Sequence, residues 1–188
     1  MMASDDIEVR ATPARPTVLA WLGGLVLPLV VGITGLGIVG LRVNVTPSQP
    51  LGLWRIVPLE RAARIGDLVF VCPPATDLMR AARRRGYLRH GFCNSGVAPL
   101  IKTVVATSGQ TIAISTSVRI DGIPLPLSRI ALKDGQGRGM MRYGGGTIPP
   151  GAVFVHSEYP GSFDSRYFGP LPVDGILGLA REVWTYAP

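Results

Sequence analysis

The sequence predicts a mainly β body, preceded by one N-terminal transmembrane helix and interrupted by a small helix-containing excursion. Three observations carry that reading. A run of 25 residues, 17–41, holds no charged side chain. Beyond it, short apolar runs rich in Val, Ile and aromatics are bounded by Gly, Pro and Asp, the punctuation of strands and turns. The chain is 47% hydrophobic and only 16% charged, a balance that fits a membrane segment joined to a strand-rich body better than a solvated helical protein. At 188 residues there is room for one domain with a real core.

Taken in order, residues 1–16 read as a cytoplasmic tail and 17–42 as the anchor. The run "TVLAWLGGLVLPLVVGITGLGIVGL" is long enough to cross a hydrocarbon core of roughly 30 Å with some tilt. Pro28 and the glycines within it are tolerated in lipid, where backbone groups must be satisfied inside the segment. A cleaved signal peptide is the other reading. Against it, the run outlasts an ordinary signal core, and no small-x-small cleavage site follows it. Arg10 and Arg15 precede the span and Arg42 follows it, and we place the amino terminus inside and residues 43–188 on the periplasmic side of the inner membrane. That body carries the whole net charge of +7, which suits anionic headgroups. The arginines are not interleaved with stacking aromatics, so nucleic acid is not expected as a partner.

Strands are expected in "LWRIVPLE", "GDLVFVCPP", "LIKTVVATSG", "QTIAISTSVRIDG", "AVFVHSE" and "GILGLAREVWTYAP". Within the excursion, 72–100, "ATDLMRAARRRGYLRH" predicts a short basic helix, with Thr76 or Asp77 as N-cap and Gly86 as stop. Its arginines are either a solvated face or a contact for headgroups and acidic partners. The segment 135–146 is glycine-rich without the GK[ST] of a phosphate loop and reads as mobile. Cys72 and Cys93 are either disulfide-bonded, as an oxidising compartment favours, or two separate thiols. Together with His90 and His156 they have the residue types of a zinc site without its spacing, and no metal or other cofactor is expected.

The chemistry centres on "NVTPSQPLGLWRI". Ser48 lies six residues beyond Arg42, so its α-carbon stays within roughly 20 Å of the membrane end of the anchor even in an extended chain. Trp54, with one apolar and one wet edge, suits the same zone. A serine hydroxyl attacks only when a base takes its proton, and neither histidine has an obvious serine-histidine-aspartate context. Lysine is the other candidate. In "APLIKTVVATSGQTI" a period of two puts Leu100, Lys102 and Val104 on one face. Burial there disfavours the ammonium and leaves an amine able to accept a proton. The plainer reading is a lysine that snorkels from an edge strand.

"TPSQPLGLW", "LIKTVVATSGQTI" and "GSFDSRYFGPL", in this order after one anchor, resemble the type I signal peptidase superfamily, a serine-lysine protease clan. The Pro-Gly-Trp pattern and short length are most similar to its TraF-type conjugative-transfer branch. The resemblance implies a signal-peptidase-like β-sheet body, with Ser48 as nucleophile and Lys102 as general base. It also implies Thr46 as an oxyanion-hole hydroxyl, worth about 3 kcal/mol in such a role, and Ser162 as the hydroxyl that orients the lysine. Asp164 is implied as either catalytic or one half of a structural ion pair with Arg166. Gln49 replaces the usual Met after the nucleophile, and "EYPGS" replaces "GDNRDNS", which favours a specialised substrate. The resulting expectation is a membrane-anchored serine endopeptidase acting on a pilin precursor or another membrane-associated polypeptide, by hydrolysis or by peptide cyclisation. A general signal peptidase and a non-catalytic β scaffold of a pilus or secretion machine are the alternatives.

Overall fold

The computed structural model describes residues 40–187. The expected anchor lies outside these residues except for its last three, of which Leu41 and Arg42 open the first strand. Among the described residues no helix is long and apolar enough to cross a membrane.

Two antiparallel sheets make up the body. The larger has seven strands in the order β1-β2-β11-β3-β4-β9-β10, and the smaller has four in the order β7-β6-β5-β8. Their bounds are β1 (Leu41–Asn44), β2 (Leu51–Val57), β3 (Leu68–Val71), β4 (Leu100–Thr107), β5 (Thr111–Ile114), β6 (Val118–Ile120), β7 (Ile123–Pro124), β8 (Gly146–Thr147), β9 (Ala152–His156), β10 (Leu171–Pro172) and β11 (Ile176–Tyr186). Each expected strand is present, but "QTIAISTSVRIDG" divides into β5 and β6, which pair with each other. The short β1, β7, β8 and β10 carry too few residues for a visible apolar period and were not foreseen.

β11 runs for 11 residues and pairs with both β2 and β3. A strand that long must bend to follow a twisted sheet, and it does so at two register shifts, Ile176/Gly178 and Glu182/Trp184. Gly52 faces the second shift with φ +124°, and a Cβ there would run into the Trp184 carbonyl. Only glycine lets the strands approach this closely.

The expected helix is α1 (Asp77–Arg84), capped by Thr76, whose hydroxyl accepts from the Met79 N–H. Asp77 in its first turn and Arg83 and Arg84 in its last complement the helix dipole. Met79 and Ala82 are buried with Val69, Val71, Val104 and Val155, so the excursion covers one face of the large sheet. Cys72 and Cys93 are disulfide-bonded, with α-carbons 5.5 Å apart. Both sulfurs are therefore committed to each other and are not metal ligands. Closing a loop of this length contributes about 3 kcal/mol in the chain-entropy model.

The glycine-rich segment is not free of partners, contrary to expectation. Asp134 accepts from the Tyr87 hydroxyl and from Arg138 Nε, each at 2.6 Å. Arg85 donates to the Gly139 carbonyl, and Arg138 donates back to the Arg85 carbonyl. These bonds tie the segment to the end of the excursion helix. A one-turn helix, α2 (Ser165–Phe168), follows β9, and its Tyr167 stacks on Phe163 with centroids 5.6 Å apart. Phe163 also meets Tyr87 at 5.2 Å, so one aromatic cluster joins the excursion to the segment that carries Asp164.

Candidate functional site

Ser48 sits in the turn between β1 and β2, and that turn is built from Asn44. The Asn44 side-chain N lies 2.9 Å from the carbonyls of Thr46, Gln49 and Pro50, bracketing Ser48. Its Oδ1 accepts from the Thr46 N–H and, at 2.7 Å, from the Thr46 hydroxyl. This is the Asx turn that an Asn at the head of a Pro-rich stretch favours. Trp54 Nε1, on a side chain with no exposure, donates to the Pro50 carbonyl. From across the sheet, the Ser157 hydroxyl donates to the Ser48 carbonyl at 2.6 Å.

The last bond bears on how the site is assembled. β2 and β9 are four strand spacings apart, about 19 Å in a flat sheet. Twist of the sheet and the reach of the turn bring Ser48 to the end of β9. The cleft between them has a volume of about 410 Å³ and is lined by Ser48, Pro50, Thr103, Val105, His156 and Tyr159 among others.

Lys102 sits in the middle of β4, 3% exposed. It pairs with Val69 in the register and shares its face with Leu100 and Val104, as the period of two predicts. It makes no hydrogen bond among the described residues. Burial pushes the amine down from its ordinary value of 10.5 to about 8; Asp164 opposes that shift and Arg166 adds to it. A snorkelling edge-strand lysine is thereby corrected: β4 is internal to the sheet, between β3 and β9. Lys102 is not among the residues lining the Ser48 cleft.

Asp164 and Arg166 are both fully buried and paired, Arg166 Nε to Asp164 Oδ1 at 2.8 Å. Nη1 donates to the Arg129 carbonyl, and Nη2 donates to the Ser162 carbonyl and Asp164 Oδ2 and lies 3.5 Å from the Tyr159 carbonyl. Asp164 Oδ2 also accepts from the Ser157 N–H and contacts His156 Nδ1, each at 3.2 Å. Burial alone would raise the Asp164 carboxyl, but His156 and Arg166 outweigh it and hold the group at about 2. The carboxylate therefore stays charged and spans four groups, the Arg166 guanidinium and backbone N–H, the Ser157 backbone N–H and the His156 ring.

Of the predicted site residues, Asp164 and Arg166 are brought together as expected. The Thr46 hydroxyl is engaged by Asn44, so an oxyanion role requires it to leave that bond. Ser162 Oγ is buried with no hydrogen-bond partner among the described residues, and the bond to the lysine amine that the resemblance implies is not formed. The view of His156 is corrected. It does have an aspartate partner, and it lines the same cleft as Ser48. His90 forms an isolated bridge with Val97 within the excursion. Asn44, Ser157 and His156 are the functional candidates that sequence reasoning missed. Only Asn44 had a local signal, its place at the head of a turn.

The family model for signal peptidase, peptidase S26, matches residues 18–185. A probable conjugal transfer protein TraF from Sinorhizobium fredii is 52% identical over 183 residues, covering 97% of each chain. A conjugal transfer protein TraF from Agrobacterium fabrum is 49% identical, covering 93% of this chain and 99% of its own. A plasmid transfer protein TraF from Escherichia coli is 35% identical, covering 92% and 97%. Among solved structures, a signal peptidase I from Enterococcus faecalis matches with a TM-score of 0.38 and 18% identity, over 63% of this chain and 97% of that one.

Proposed function

The chain belongs to the signal peptidase family, peptidase S26, and within it to the TraF type; on that premise we propose that it is a membrane-anchored serine endopeptidase that processes a pilin precursor for conjugative transfer. The observation that carries the mechanism is Lys102, a lysine 3% exposed on an apolar face and pushed down to about 8. An amine in that state accepts a proton near neutral pH.

In the proposed reaction Lys102 takes the proton of Ser48 as Oγ adds to the carbonyl carbon of the scissile peptide. The oxyanion is held by the Ser48 N–H and the Thr46 hydroxyl, the latter released from Asn44. Collapse breaks the C–N bond, and the departing amine takes the proton back from Lys102. An ester on Ser48 remains, which water or an amine resolves, giving a linear or a cyclic product. The reading requires the Lys102 amine and the Ser48 hydroxyl to meet when substrate is bound.

A span over residues 17–42 would hold Ser48 at the periplasmic surface of the inner membrane, and the Cys72–Cys93 bond supports an oxidising compartment. Co-expression with a candidate pilin precursor and intact-mass analysis tests the proposal. A trimmed product is expected, with one water fewer if the ends are joined. Loss of that product with Ser48→Ala or Lys102→Ala is also expected. Unprocessed precursor, or full processing by either variant, overturns it. Broad cleavage of secretory preproteins identifies a general signal peptidase instead.

A further inference from the structure

Beside the β5–β6 turn lies a second cleft, of about 510 Å³, that the proposed reaction leaves unused. Three cations line it, Arg129, Lys133 and Arg142, and no acidic side chain does. None of the three forms an ion pair among the described residues. The acids close to them in the fold are already committed. Asp134, next in the chain to Lys133, is bound to Tyr87 and Arg138, and Asp164 is held by Arg166. A concave surface lined by one sign of charge concentrates the opposite charge in its vicinity.

The walls of this cleft are fixed from inside the fold. The Arg129 carbonyl accepts from Arg166 Nη1 at 2.8 Å, and the Ile130 N–H donates to the Thr116 carbonyl at 2.9 Å. Arg142 Nη1 is drawn to the Ser115 carbonyl at 2.7 Å. The buried Ser128 hydroxyl accepts from the Val118 N–H and donates to the Leu125 carbonyl. The same segments wall the Ser48 cleft, which Leu125, Pro126 and Tyr159 line. Tyr159 is followed directly by Pro160, which lines the cationic cleft. Arg166 braces both, since its Nη2 lies 3.5 Å from the Tyr159 carbonyl. A polypeptide seated at Ser48 continues past that shared wall within a few extended residues, at roughly 3.3 Å each. The cationic cleft has no aromatic ring on which a nucleobase would stack, whereas Leu132 and Pro160 offer a ledge for apolar side chains.

We propose that the cleft of Arg129, Lys133 and Arg142 is a subsite for acidic side chains of the polypeptide that occupies the Ser48 cleft. The substrate then carries a carboxylate a few residues from the bond that is cut. The inference rests on Ser48 acting on a polypeptide, as proposed above.

The test uses the full chain in neutral detergent. Nitrophenolate released from p-nitrophenyl acetate reports acylation of Ser48, and two octapeptides with blocked ends compete, one alternating Ala with Glu and the other Ala with Gln. At low salt the acidic peptide is expected to slow the burst with an inhibition constant about 10-fold below that of its Gln counterpart, as three exposed charge pairs of ordinary strength give. The advantage shrinks at high salt. The ratio of the two constants is read within each variant, so a change in the burst itself cancels. That ratio falls to about one in the double variant Arg129→Gln, Arg142→Gln and falls part of the way in Lys133→Gln. It is kept by Arg84→Gln, Arg89→Gln, an equal loss of charge on the excursion. Equal inhibition by the two peptides in the parent overturns the inference. So does an advantage that survives in the cleft variants, or one that falls as far in the excursion variant and so reflects net charge alone. Loss of dihexanoyl-phosphatidylglycerol binding in the cleft variants, with the peptide ratio kept, assigns the cleft to lipid headgroups and also overturns it. Failure of the underlying reading looks different: a burst that persists in Ser48→Ala overturns the proposed nucleophile, and with it a subsite beside Ser48, whichever peptide inhibits better.

Discussion

At the scale of single residues, the site sets charges against burial, and Lys102 shows the consequence for stability. Its folded value of about 8 lies below the ordinary 10.5. Between those limits the unfolded chain binds a proton that the native state does not, so stability rises with pH through that window. Below pH 8 the full penalty, about 3 kcal/mol, is present. Lys102→Met removes the charge with similar volume. We expect that variant to be more stable by up to about 3 kcal/mol at pH 7, with the difference gone above pH 10.5, as denaturant unfolding at the two pH values will show. Peptidase activity falls by 10²-fold or more in the same variant, whereas the parent's activity climbs on an alkaline limb near pH 8. An unchanged stability at pH 7 would mean that Lys102 is hydrated. This residue was legible in the sequence because alternation along one strand is enough to bury it. His156 was not, because its partner Asp164 lies eight positions away across a loop, and nothing local records that the loop folds back.

At the scale of elements, the β1–β2 turn is the part that places the proposed nucleophile, Ser48. Its geometry rests on one side chain, Asn44, through both ends of the amide. Asn44→Asp keeps the acceptor for Thr46 and loses the donor to the carbonyls of Thr46, Gln49 and Pro50. We expect it to destabilise the chain by about 1–2 kcal/mol and to lower kcat by 10- to 100-fold with little change in KM. A misplacement of about 1 Å at the attacking atom has that effect. Steady-state kinetics with thermal melts will separate the two, and parent-like kcat would show that Trp54 and Ser157 suffice to hold the turn. The major strands and α1 were readable because each carries its own period or cap. β7, β8 and β10 were not, since a two-residue pairing is dictated by its neighbours, and neither was β1, whose four residues follow directly on the apolar run. The glycine-rich segment misled for the opposite reason. Its composition signals freedom, but Asp134 and Arg138 dock it on Tyr87 and Arg85 through contacts about fifty positions apart.

At the scale of the whole molecule, the proposed function divides chemistry from address. The body carries the Ser48 cleft, the Asp164 network and the disulfide within residues 40–187. The ordinary worth of a tether is effective concentration: two partners held at one surface meet as if at millimolar levels without any new contact. Removing residues 1–39 should therefore leave the acylation burst with p-nitrophenyl acetate intact, because that probe diffuses to Ser48 from solution. The same truncation should slow processing of a membrane-embedded precursor by about 10²-fold or more at equal enzyme concentration. Burst amplitude and precursor half-life, measured on one preparation in the presence of vesicles, give the two readings side by side. If both fall together, the anchor supports the fold of the body. If neither falls, the substrate is met in solution, and the proposed placement of Ser48 beside a bilayer has no bearing on its choice of target.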